Sequence, residues 1–167
     1  TPSTATSLVI SEFRTTGPVG VDDEFVEVFN PTGAPVDISF WTLEVPGFGT
    51  LHTYQGGSVL APGGRYVVAP GSGYPGFKDD TYNGGIGSPH LVQFGGAIEL
   101  RTDTSTLVDA VGWGGFAAEG VPLASYSPFV SFDRSSDRGF NGCADLDDNV
   151  SDFLISWQAT PGSGICP

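Results

Sequence analysis

Glu24-Phe25-Val26-Glu27-Val28-Phe29-Asn30-Pro31-Thr32-Gly33 decides how this chain folds. Val26 and Val28 alternate with Phe25 and Phe29, so an extended segment here carries apolar side chains on both faces. Asn30 to Gly33 then supplies turn chemistry, with proline setting φ and glycine free to take positive φ. Working outward, Ser7 to Phe13 repeats the pattern upstream, with Leu8 and Ile10 expected opposite Val9 and Phe13. Downstream, Val36 to Ile38 and Trp41 to Val45 resume it, followed by Gly49 to Tyr54, Ser58 to Leu60 and Arg65 to Ala69. Ala97 to Arg101, Thr106 to Val111 and Phe129 to Asp133 complete the series, each bounded by Gly, Pro, Asp or Ser. Nine or ten short strands at this spacing predict an all-β sandwich.

Composition agrees. The 167 residues suffice for one ordinary domain, and 25 glycines with 13 prolines argue against a helical bundle. Six basic residues against 19 acidic ones leave a net charge of −13, and Lys78 is the only lysine, which excludes nucleic acid as a favoured partner. No apolar run approaches the roughly 20 residues that cross a bilayer as a helix, so membrane insertion is not expected. The chain has no methionine. Residues 1–7 therefore read as a linker or processed edge of a longer precursor, and residues 8–167 as a single domain.

Cys143 and Cys166 lie in a polar, acidic C-terminal segment where a reduced thiol gains little from burial. The expected disulfide would clamp this tail by roughly 3 kcal/mol and would place the protein in an oxidising compartment. Two unrelated thiols are the alternative. Ser151 or Asp152 is expected to cap a helical turn through Phe153-Leu154-Ile155.

Candidate chemistry is sparse. His52 and His90 stand in no metal-chelating spacing, and no G-x-S-x-G marks a serine nucleophile. Gly71-Ser72-Gly73-Tyr74-Pro75-Gly76 matches G-x-G-x-x-G, but the residues after it do not open a helix, so it reads as a turn-rich loop. Asp145, Asp147 and Asn149 fall at positions 1, 3 and 5 of a calcium loop, while Val150 and Ser156 replace the required Gly and Glu. An EF-hand is excluded. A looser calcium site with Asp148 or Asp152 competes with Asx turns that orient the backbone. Asn149-Val150-Ser151 is also an N-x-S sequon, and Asn30-Pro31-Thr32 is barred by its proline.

The succession ISEF (Ile10 to Phe13), DEFVEVFNPTGAPVDISFWTL (Asp23 to Leu43), LAPGGRYVVA (Leu60 to Ala69) and IELRTDTSTLVDAVGWG (Ile98 to Gly114) resembles the lamin tail domain family as found in secreted bacterial proteins. SFDR (Ser131 to Arg134) and DLDDNVSDF (Asp145 to Phe153) look like its closing segments. The resemblance implies an immunoglobulin-like β-sandwich with Trp41 and Trp113 in the core beside Val26, Val28, Leu43, Val67, Ile98, Leu100, Val108 and Val111. Glu12, Glu24 and Glu27 then read as strand residues held by arginine or loop amides rather than a catalytic trio.

Three functions compete on these grounds. The first is a non-catalytic extracellular interaction or spacer module, whose partners are a protein, a cell-surface polymer or other domains of its precursor. The second is a carbohydrate-binding module that stacks sugars on Tyr74, Phe77 and Tyr82 of the loop between Pro70 and Gly96. The third is a hydrolase with acids at the sandwich edge.

Overall fold

Strict alternation would put Ile10 and Phe13 on opposite faces of the first strand, yet both lie in the main core. A bulge between Ile10 and Glu12 inserts the extra residue that returns Phe13 to the inner side. The computed structural model describes residues 6–84, 88–124, 130–134 and 145–162. Its elements are β1 (Val9–Arg14), β2 (Phe25–Phe29), β3 (Val36–Asp37), β4 (Thr42–Val45), β5 (Gly49–Thr53), β6 (Val59–Leu60), β7 (Arg65–Pro70), β8 (Asp80–Tyr82), β9 (Gly96–Arg101), β10 (Leu107–Trp113), β11 (Ser131–Arg134), α1 (Asn149–Asp152) and β12 (Phe153–Ser156). A six-stranded sheet in the order β12-β11-β1-β2-β7-β8 packs on a four-stranded sheet β10-β9-β4-β5, and β3 pairs with β6 alongside.

The fold is the all-β sandwich the strand pattern predicts. Two strands were not legible as such. β8 lies in the loop between Pro70 and Gly96 and pairs in parallel with β7 at the sheet's edge, where only three residues extend. β12 replaces the expected helical turn: α1 ends at Asp152, and Phe153 through Ser156 extend because they pair with β11. Long-range pairing outweighs a short capped turn.

Between the sheets, Leu8, Ile10, Phe13, Val26, Val28 and Val68 meet Leu43, Val45, Ile98, Leu100, Val111 and Trp113. The Phe13 ring stacks on Phe132 at 4.8 Å and tilts against Trp113 at 5.2 Å. Trp113 is buried as expected, whereas Trp41 and Val108 are half-buried at the core's margin. Asp109 of β10 accepts the Ile10 amide at 2.5 Å, joining the two sheets at the bulge.

β1 and β2 are buried along their whole length on both faces. Phe25, Val67, Ala69 and Tyr74 form a smaller apolar cluster on the outer face, with Ala159 against it. Beside this cluster, Glu27 is shielded from water and pairs with the Arg65 guanidinium. Its carboxylate also accepts the Ser11 hydroxyl at 2.5 Å and the Gly162 amide at 2.5 Å. Glu12 accepts the Thr160 amide at 2.9 Å. The returning segment 157–162 therefore straps this face and satisfies its carboxylates.

The Cys143–Cys166 bridge expected from the sequence lies outside the described residues.

Removing one member of the Glu27–Arg65 pair strands the other as a buried charge. Glu27→Ala and Arg65→Ala are each expected to cost about 3–5 kcal/mol in chemical denaturation. A loss below about 1 kcal/mol, the range of an exposed ion pair, would contradict the arrangement.

Candidate functional site

The acidic segment near the C-terminus does not gather its four predicted cation ligands around one point. Asn149 is buried, and its side chain pairs with the outer edge of β10: Oδ1 accepts the Gly112 amide at 2.8 Å and Nδ2 donates to the Ala110 carbonyl at 3.0 Å. A side-chain amide here stands where a neighbouring strand's peptide would stand. The Asp152 carboxylate accepts the Leu146 amide at 3.1 Å, and Asp145 accepts the Asp147 amide at 3.4 Å in an Asx turn. Asp148 accepts the Val121 amide at 2.8 Å and the Ser151 hydroxyl at 2.5 Å, and these bonds hold its carboxyl below the usual range. Asp145 instead lies with Asp109 and Glu119, their nearest oxygens all within 4.8 Å of one another. The burial of Asn149 leaves no room for a glycan on the N-x-S sequon in the folded protein.

The two imidazoles stand apart. His52 is buried with Nε2 3.7 Å from Asp80, and burial holds its pKa below the ordinary value against that carboxylate's opposing effect. The His90 Nδ1 lies 2.9 Å from the Ser88 backbone carbonyl. Among the described residues, no serine hydroxyl is hydrogen-bonded to either imidazole.

The loop aromatics divide in a way the sequence did not reveal. Tyr74 is buried against Phe25 at 5.2 Å, and its ring flanks the Arg14 guanidinium. Tyr82 is buried too, its hydroxyl donating to Glu24 at 2.9 Å. Both are therefore corrected from sugar platforms to plugs. Phe77 alone of the three is exposed, at 71%. The glycine-rich stretch around Tyr74 forms a loop rather than a helix opening.

Glu24 organises the end of the sandwich. It accepts Tyr82 Oη at 2.9 Å and the Leu91 amide at 3.0 Å, tying the loop that follows β8 to the start of β2. Burial pushes its pKa up to about 8, with the two hydrogen bonds opposing and Asp22 adding to the rise. Nearby, the Trp113 indole donates to the Val92 carbonyl at 2.8 Å.

The strand register brings five connections to this same end. Arg14 faces Phe25, so the β1–β2 loop lies here; Val26 faces Val68, so β7 finishes here. Trp113 faces Gly96, and Glu44 faces Glu99, which adds the start of β9, the end of β10 and the β4–β5 turn. Gly114 adopts a φ of 62° and passes so close to the Phe94 carbonyl that a Cβ has no room. The result is a set of exposed apolar residues on the turns at this end, Val19, Val21, Phe48, Phe94 and Phe116, each between 55% and 74% accessible. Periodicity could not find it, because its members come from separate turns.

Both described cations nearby are engaged internally: Arg14 pairs with Asp23, and Lys78 donates to the Pro70 and Tyr74 carbonyls at 3.1 and 3.2 Å. The exposed end is apolar with a surplus of acid.

The Lamin Tail Domain family model matches residues 1–115. No curated protein matches the chain. The matched span includes all five loops except the part of the β10–β11 connection beyond residue 115.

Two measurements test this geometry. Glu24 titrates near 8 when folded and near 4.5 when unfolded, so the native state holds the extra proton between these values. Its contribution to stability is full below about pH 4.5 and is lost as pH rises through about 8. Glu24→Gln, neutral at every pH, should flatten this part of the stability curve from pH 5 to 9; parallel curves for the two proteins would contradict the assignment. Asn149→Ala strands the Gly112 N–H and the Ala110 carbonyl and should lower unfolding free energy by about 1–3 kcal/mol in urea melts. An unchanged midpoint would refute the edge-capping role.

Proposed function

This chain belongs to the lamin tail domain family, and from that membership we propose that it is a non-catalytic, immunoglobulin-like interaction module that docks a protein through the loop end of its sandwich. The observation carrying this reading is the group of Val19, Val21, Phe48, Phe94 and Phe116 exposed together at one end. Isolated surface apolar residues need no explanation, but several carried to one end by four connections mark an interaction surface. Rigid strands hold the turns that present them, as in other sandwiches that bind through loops.

Charge narrows the partner. A net charge of −13, with Arg14 and Lys78 occupied at this end, disfavours nucleic acid and anionic lipid. A protein surface that is apolar at its centre and basic at its rim complements it. No helix among the described residues is long and apolar enough to cross a membrane. We extend the proposal to an extracellular setting, on the ground that two cysteines in a polar tail suit a disulfide.

Site-specific photo-crosslinking tests the reading in the full-length protein in its source cells. A photoreactive phenylalanine at position 94 or 116 should capture one and the same protein. At position 40 it should not, although Phe40 at the opposite end is 62% exposed. Equal capture from both ends, or none from the loop end, would refute the proposal.

A further inference from the structure

Phe77 lies away from the apolar end. Asp79 pairs with Val67 on both sides, donating its amide to the Val67 carbonyl at 2.8 Å and accepting the Val67 amide on Oδ2 at 2.8 Å. That pairing lays residues 77–79 beside the first half of β7. Between them opens a cleft of about 300 Å³ lined by Gly63, Arg65, Val67, Phe77, Asp79 and Gly162.

We infer that this cleft is a second binding site, independent of the docking end, and that it takes one ring of a neutral saccharide. Its parts match the two kinds of surface on a pyranose. The exposed Phe77 ring offers an aromatic face for the sugar's C–H side, where dispersion contact accumulates. Asp79 Oδ1 has no hydrogen-bond partner among the described residues and accepts sugar hydroxyls. Arg65 lies at the cleft with its guanidinium held 4.2 Å over the Phe29 ring and paired with Glu27. A donor fixed in this way loses little freedom on binding. Gly63 and Gly162 have open space where a Cβ would project, so no side chain of theirs obstructs the cleft.

Charge selects a neutral ligand. The Arg65 charge is matched by Glu27, and Asp79 repels uronic acids and phosphorylated sugars. A cleft of this size holds a single ring, so affinity for a monosaccharide is weak and a polymer gains through repeated engagement.

Nuclear magnetic resonance titration of the intact chain with methyl β-D-glucopyranoside, methyl β-D-galactopyranoside, methyl α-D-mannopyranoside and N-acetylglucosamine tests the inference. At least one should give saturable shifts at the amides of Gly63, Val67, Asp79 and Gly162 below about 50 mM, the range of a weak single-ring site. Phe77→Ala should weaken that binding about tenfold at an unchanged melting temperature, since the ring is exposed. Phe94→Ala should leave the shifts intact, which separates this cleft from the docking end. No saturable shift with any of the four sugars, or equal affinity in Phe77→Ala, would overturn the inference.

Discussion

A carboxylate hidden from water near the middle of the six-stranded sheet constrains the rest of this molecule. Glu27 alternates with Val26 and Val28 on β2, and the valines are drawn into the core between the sheets. Their burial commits Glu27 to the outer face, which is itself covered. An ionised group there must be paired and hydrogen-bonded or it destabilises the fold. Arg65 on the adjacent strand, Ser11 on β1 and the Gly162 amide on the strap meet that requirement from three directions. Pairing the charge therefore also fixes how β1, β7 and the end of the described chain sit over the sheet.

The same logic explains the segments beyond the family match. β10 is an edge strand whose amides and carbonyls require partners. Asn149 supplies two of them, and Leu123 supplies more by donating to the Gly112 carbonyl and accepting the Gly114 amide, each at 2.9 Å. The acidic run from Asp145 to Asp152 orients these turns through carboxylate-to-amide bonds. Acidic spacing that resembles a calcium loop is put to work on the backbone.

Internal engagement of Arg14 and Lys78 near the loop end leaves an asymmetric surface. The loop end is apolar, and the side of β7 carries a mixed cleft with one exposed aromatic ring. Strands buried on both faces hold these two surfaces apart and keep each in a set geometry. Rigid support of this kind lowers the entropy lost on binding.

Local pattern determined much of the architecture. Two-residue periodicity assigned Val26 and Val28 to one face and Phe25 and Phe29 to the other. Asn30-Pro31-Thr32-Gly33 determined a turn, and Asn30 Oδ1 indeed accepts the Thr32 amide at 3.0 Å. Those features depend on neighbours in the chain, so they are readable from it. Tertiary structure alone decided the rest. A bulge turned Phe13 inward, pairing with β11 extended Phe153 to Ser156, and packing closed over Tyr74 and Tyr82 while leaving Phe77 in solvent. The proton affinity of Glu24 and the placement of Phe48, Phe94 and Phe116 at one end likewise arise from groups far apart in sequence. Burial and long-range contact are properties of the assembled sheets, and residue order carries no direct record of them.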